Sequence, residues 1–137
     1  MRWIVYVLAA IAIVGVLVVI IGYSLPKAHS ASRITKVGLP PDATYTLLTE
    51  MAQASEVPVR LERLERPTLF VARICDPSLP FGGTWTYRIA PAGTGSEVTI
   101  TEDGEVYNPF FRFMSRFVFG HYATLDGFMK KLEARAK

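Results

Sequence analysis

The sequence predicts an α+β domain, an antiparallel sheet packed against a long C-terminal helix, behind a single N-terminal transmembrane helix. Three observations carry that prediction. Between Asp76 and Gly120, two runs of strand-type alternation are separated by Gly-rich turns and lead into a phenylalanine-loaded segment. Six of the eight Phe fall between Phe110 and Phe128. Each aromatic side chain buries roughly 150–250 Å², so six in solvent would exceed the apolar patch of an ordinary soluble monomer. That helix must lie against an apolar partner. From Trp3 to Tyr23 there are 21 consecutive uncharged residues. At ~1.5 Å rise per residue they span about 32 Å, matching the ~30 Å hydrocarbon core of a bilayer.

The elements follow in order. Trp3, Tyr6 and Tyr23 sit at the ends of the apolar run, where interfacial aromatics belong. The alternative is a cleaved signal peptide. The run exceeds the roughly 7–15 residues of such a core, and Ala28-His29-Ser30 is a poor cleavage site. Residues 1–24 are therefore expected to be a retained anchor, 25–31 a linker interrupted by Pro26, and 32–137 one folded domain. A first strand is expected over Ser32–Val37, then a turn through Gly38-Leu39-Pro40-Pro41. A helix from Asp42 to about Ala54 gathers Tyr45, Leu48 and Met51 on one face.

Val57–Glu65 alternates as a strand, and its Pro58 points to a sheet edge. Thr68–Cys75 places Phe70, Ala72 and Ile74 on one face, with Cys75 expected as a buried thiol. Thr84–Ala90 brings Trp85, Tyr87 and Ile89 together, and Pro91 to Gly95 forms a hairpin turn before the last strand, Glu97–Tyr107. Asn108 caps and Pro109 opens the long C-terminal helix, whose apolar stripe is expected to reach Leu132. Its stripe is Phe110, Phe113, Met114, Phe117, His121, Leu125, Phe128 and Leu132, with Gly120 and Gly127 as the positions for a bend. Phe117 and Trp85 are expected to pack across from one another.

Charge and composition exclude several function classes. A net charge of +3, scattered along the chain, makes no nucleic-acid footprint. The single Cys75 forms no intrachain disulfide, and no metal-ligand spacing is present. No nucleophile elbow, phosphate loop or dinucleotide fingerprint appears, and no cofactor is implied. Arg2 alone precedes the apolar run while Lys27, Arg33 and Lys36 follow it, so the positive-inside rule leans toward a cytoplasmic C-terminal domain. Oligomeric state is not legible.

From Leu25 onward the chain resembles the polyketide cyclase/dehydrase and lipid-transport-like group of the START/pathogenesis-related superfamily, SRPBCC. The matching residues are Leu25-Pro26 with His29, Pro40-Pro41 through Tyr45, Ile74 to Tyr87, Ile100 to Glu105, and Asn108-Pro109-Phe110-Phe111-Arg112-Phe113. Within that group the chain is most similar to bacterial members carrying an N-terminal membrane anchor. The resemblance implies a helix-grip fold, a curved antiparallel sheet around a long C-terminal helix with a hydrophobic cavity between them. It also exposes a departure. Met51 to Glu56 leads straight into Val57, so a short helix and two strands of the usual domain are missing near 52–57. About five strands remain, with the first strand pairing the last.

Two residues invite chemistry. Counting from Val98 and Ile100 puts Glu102 on the apolar face, where desolvation would raise its pKa. A bulge at Gly104 would instead turn Glu102, Asp103 and Glu105 to solvent, and that is the preferred reading. His121 lies on the stripe without a sequence-local partner and reads as a histidine satisfied by a hydrogen bond. No catalytic residue is assigned beyond these two weak candidates. The expected function is a membrane-anchored module binding a hydrophobic small molecule or lipid. Phe70, Trp85, Tyr87, Ile89, Phe110, Phe113, Met114 and Phe117 would line its site. The alternatives are a polyketide cyclase/dehydratase-like enzyme working through Glu102 or His121, and a structural or interaction protein.

Overall fold

The structure, a computed structural model, describes residues 1–136. Helix α1 (Arg2–Ser24) ends where Leu25 turns extended ahead of Pro26, as a residue preceding proline does. Strand β1 (Ala28–Val37) then leads into helix α2 (Pro41–Gln53), which opens on a proline whose absent N–H costs nothing there. Ala54 to Pro58 joins α2 directly to β2 (Val59–Glu65). Strands β3 (Leu69–Ile74), β4 (Phe81–Ala92) and β5 (Gly95–Val106) complete an antiparallel sheet of order β1-β5-β4-β3-β2. The first strand thus pairs the last, and the edges are β1 and β2. Strand β1 starts four residues before the expected Ser32, pairing Ala28 with Glu105. On β2, the ion pairs of Glu62 with Arg60 (2.9 Å) and Arg73 (3.1 Å) blunt an edge that would otherwise template association.

The register sets one inner face. Its rows run Arg33–Ile100–Tyr87–Phe70 and Ala31–Glu102–Trp85–Ala72–Leu61. Helix α2 lays Tyr45, Leu48, Met51 and Ala52 on that face, and the last helix, α4 (Ala123–Arg135), adds Leu125, Met129 and Leu132. Phe70 and Tyr87 stack at 4.3 Å between ring centroids, worth roughly 0.5–1.5 kcal/mol beyond area burial. Helix α4 is tied to β1 by Arg33 to Asp126 at 2.8 Å and Thr35 to Glu133 at 3.2 Å. Where α2 meets the sheet, the buried hydroxyls of Thr44 and Ser96 both donate to the carbonyl of Leu39.

The C-terminal stripe departs from expectation. Asn108 caps as anticipated, its side chain accepting from the Phe110 N–H at 2.8 Å. The helix is nevertheless not continuous. Helix α3 (Pro109–Met114) widens into a π-helical turn, Ser115–Phe119, and stops at Gly120, whose φ of +78° is a left-handed conformation open to glycine at little cost. Gly127, the other expected bend, lies inside α4. The break divides the stripe. Leu125, Met129 and Leu132 enter the core, whereas Phe117, expected to pack opposite Trp85, is 60% exposed. Cys75, expected as a buried thiol, follows the end of β3 and is exposed.

Arg112, which reads in sequence as a solvated charge, joins three elements. Its guanidinium donates to the carbonyls of Val106 (2.8 Å), Tyr107 (2.9 Å) and, at the C-terminal end of α1, Gly22 (3.5 Å). Gly22 is buried, and the Pro109 carbonyl stands where its Cβ would be.

Candidate functional site

The residues expected to line a ligand site fall into two groups. Phe70, Tyr87 and Ile89 are buried in the packed core, and Trp85 stands half-buried at its rim, edge-on to Phe128 with centroids 5.5 Å apart. Phe110, Phe113, Met114 and Phe117 lie on α3 and the π turn, with Phe113 and Phe117 tilted together at 5.0 Å. Among the described residues no ring-to-ring contact joins the two groups. Between them the sheet's inner face is thin. Beyond the row of Glu102 and Trp85, the central strands present Gly104 opposite Gly83, so neither contributes a side chain.

A polar cluster occupies that end of the sheet. The register runs unbroken from Val98 through Gly104, pairing Glu102 with Trp85 and Ala31. The expected bulge at Gly104 is therefore absent, and Glu102 faces inward rather than to solvent. Its side chain is 14% exposed and its Oε1 lies 2.8 Å from Nε2 of His29, itself 15% exposed. A Cβ on Gly104 would meet the His29 ring at 2.6 Å, so the missing side chain is the space the imidazole fills. His121 stands edge-on to His29 with centroids 4.3 Å apart.

His121 also departs from expectation, because its buried Nε2 has no hydrogen-bond partner among the described residues. Its pKa is pushed down, first by burial and then by His29 and Arg116, against an opposing pull from Glu102. Burial, and secondarily the Glu102 charge, pushes the Tyr87 phenol far up. It stays protonated at any physiological pH.

The arrangement has definite chemical capacity. A His29 Nε2–H that donates to Glu102 Oε1 would leave Nδ1 as the free ring nitrogen, the way a carboxylate orients a general base. His121 offers an unused ring nitrogen beside it. A shallow groove of about 360 Å³ at the same end of the sheet is lined by Ala28, His29, Ser30, Asp103, Gly104 and Glu105, and four of these, Ala28, Ser30, Asp103 and Glu105, alternate to the face opposite Glu102. No three His, Cys, Asp or Glu side chains converge as metal ligands among the described residues. His29 is the residue that site reasoning from sequence passed over. Its partner lies 73 positions away, and the signal that finds it is the pairing of the first and last strands extended four residues upstream.

No family model matches the sequence, and no curated protein matches it significantly. Solved structures do. Protein MLL2253 from Mesorhizobium loti superposes with a TM-score of 0.56 at 13% identity, over 77% of this chain and 95% of its own. The Aha1 dimer from Colwellia psychrerythraea gives 0.57 at 10% identity, over 79% and 96%. TTHA0849 from Thermus thermophilus gives 0.52 at 17% identity, over 79% and 97%. These structures share the fold of this chain, the helix-grip arrangement that the resemblance implied, here with a five-stranded open sheet.

Proposed function

We propose that this protein is a membrane-tethered binding module for a hydrophobic small molecule or lipid, taken up on the inner face of the sheet beside Trp85. One observation carries the reading. Trp85 is left half-buried on the inner face, edge-on to Phe128, between the packed core and the polar cluster of His29, Glu102 and His121. An apolar ring beside a few convergent polar groups is the usual composition of a small-molecule site. In this reading Trp85, Phe113, Met114 and Phe117 line the ligand, Phe70, Tyr87 and Ile89 form its floor, and Phe110 flanks the mouth.

Helix α1 is long and apolar enough to cross a membrane, and residues 1–24 act here as an anchor retained in the mature chain. Its role is to hold the domain where hydrophobic ligands are concentrated. Lys27 and Lys36 after the span, against Arg2 before it, favour a cytoplasmic domain. The binding domain starts with β1 at Ala28 and is shortened near 52–57.

Native mass spectrometry of the full chain released from mild detergent tests the reading. A discrete hydrophobic adduct on an intact mass that includes residues 1–24 is expected. A ligand-free mass, or loss of the N-terminal segment, overturns it. The cluster of His29, Glu102 and His121 favours a second reading, an enzyme of cyclase or dehydratase type. The Glu102→Gln variant separates the two. An adduct heavier than the wild-type one by a molecule of water marks a stalled dehydration, whereas the same adduct in both marks a binding module.

A further inference from the structure

We infer that the α3 and π-turn segment, residues 109–119, is seated in the interfacial layer of the same leaflet from which α1 emerges. The inference rests on the reading of α1 as a retained anchor. Two observations bring the occupant to this surface. The first is depth. Gly22 lies within the last turn of the 23-residue α1, and its Cα packs directly on the Pro109 backbone while its carbonyl accepts from Arg112 at 3.5 Å. Wherever the apolar span ends, α3 is pinned beside that end. The second is chemistry. Phe110 and Phe111 are 45% and 43% exposed, and Phe117, Val118 and Phe119 are 60%, 59% and 63% exposed.

Five large apolar side chains presented together are costly in water and suited to the headgroup–acyl boundary, where short amphipathic helices bury one face. Cations flank them. Arg116 lies beside the Phe117 ring and Lys27 over the ring of Tyr107, both placed to meet anionic headgroups. The bilayer is thus the partner that this surface fits, and it brings the open end of the sheet to lipid depth.

Site-directed spin labelling of the full chain tests this in vesicles of phosphatidylcholine with phosphatidylglycerol. The exposed Cys75 is first changed to Ser, and single labels are placed through Phe119→Cys, Val118→Cys, Ile13→Cys and Leu64→Cys. All four positions are exposed in the domain or on α1, so none disturbs packed core. The expected result is a several-fold higher ratio of oxygen to water-soluble nickel collisions at 118 and 119 than at 64, with 13 deeper still. Aqueous values at 118 and 119 while 13 reads as bilayer centre overturn this inference and leave the anchor standing. An aqueous value at 13 overturns both.

Discussion

Among the described residues nothing satisfies the buried Nε2 of His121, which stands beside a second imidazole and close to a carboxylate. With its pKa lowered from 6.5, first by burial and then by His29 and Arg116, the folded chain resists a proton that the unfolded chain accepts. Stability is therefore fully present above the unfolded value and is lost as pH falls through the folded one. The carboxylates held low by their partners, Asp42, Glu62 and Asp76, act only at more acid pH. Denaturant melts of wild type and His121→Gln between about pH 7 and pH 5 are expected to diverge, the wild type losing more stability than the variant. Parallel curves would contradict that assignment. Core packing gives a second contrast. Leu132, fully buried, is expected to cost about 2–5 kcal/mol on truncation to Ala. Phe117→Ala is expected to stay within about 0.5 kcal/mol, as an exposed position does. Thermal melts of the two variants check the pair, and equal losses would place Phe117 in packed core.

The strands were legible because alternation survives wherever one sheet face is buried, and β4 and β5 carry it in Trp85–Ile89 and Val98–Ile100, whereas β3 reads as a short continuous apolar run, Leu69–Ala72, all four buried. The strand order was legible once the missing segment before Val57 was set against the helix-grip resemblance. The break in the C-terminal helix was not, because a stripe of apolar residues at helical spacing is the same whether it faces a sheet or a membrane. Only Gly120 hinted at it. Stability should follow the same division. Strands β3, β4 and β5 and helix α4 share the core, whereas β2 bonds to one neighbour only. Hydrogen exchange on the full chain is expected to show slow exchange in β4, β5 and α4 and fast exchange in β2 and the π turn. Uniform protection across all five strands would contradict this.

At the scale of the whole molecule, α1, α3 and the open end of the sheet meet around Arg112, and the polar cluster with Trp85 lies just beyond. The candidate site was only partly legible for a physical reason. Its members Glu102 and His121 stand out in sequence, but the partner that orients Glu102 comes from β1 across the sheet, and its inward direction depends on a register that counting through Gly104 does not decide. The central claim is that a hydrophobic ligand from the bilayer occupies the inner face beside Trp85. Photo-cross-linking tests it most directly. The full chain in nanodiscs is exposed to a diazirine-bearing fatty acid, irradiated, and mapped by peptide mass. Adducts on Trp85 and Phe128, in addition to any on α1, are the predicted result; adducts confined to α1 and the π turn would contradict it.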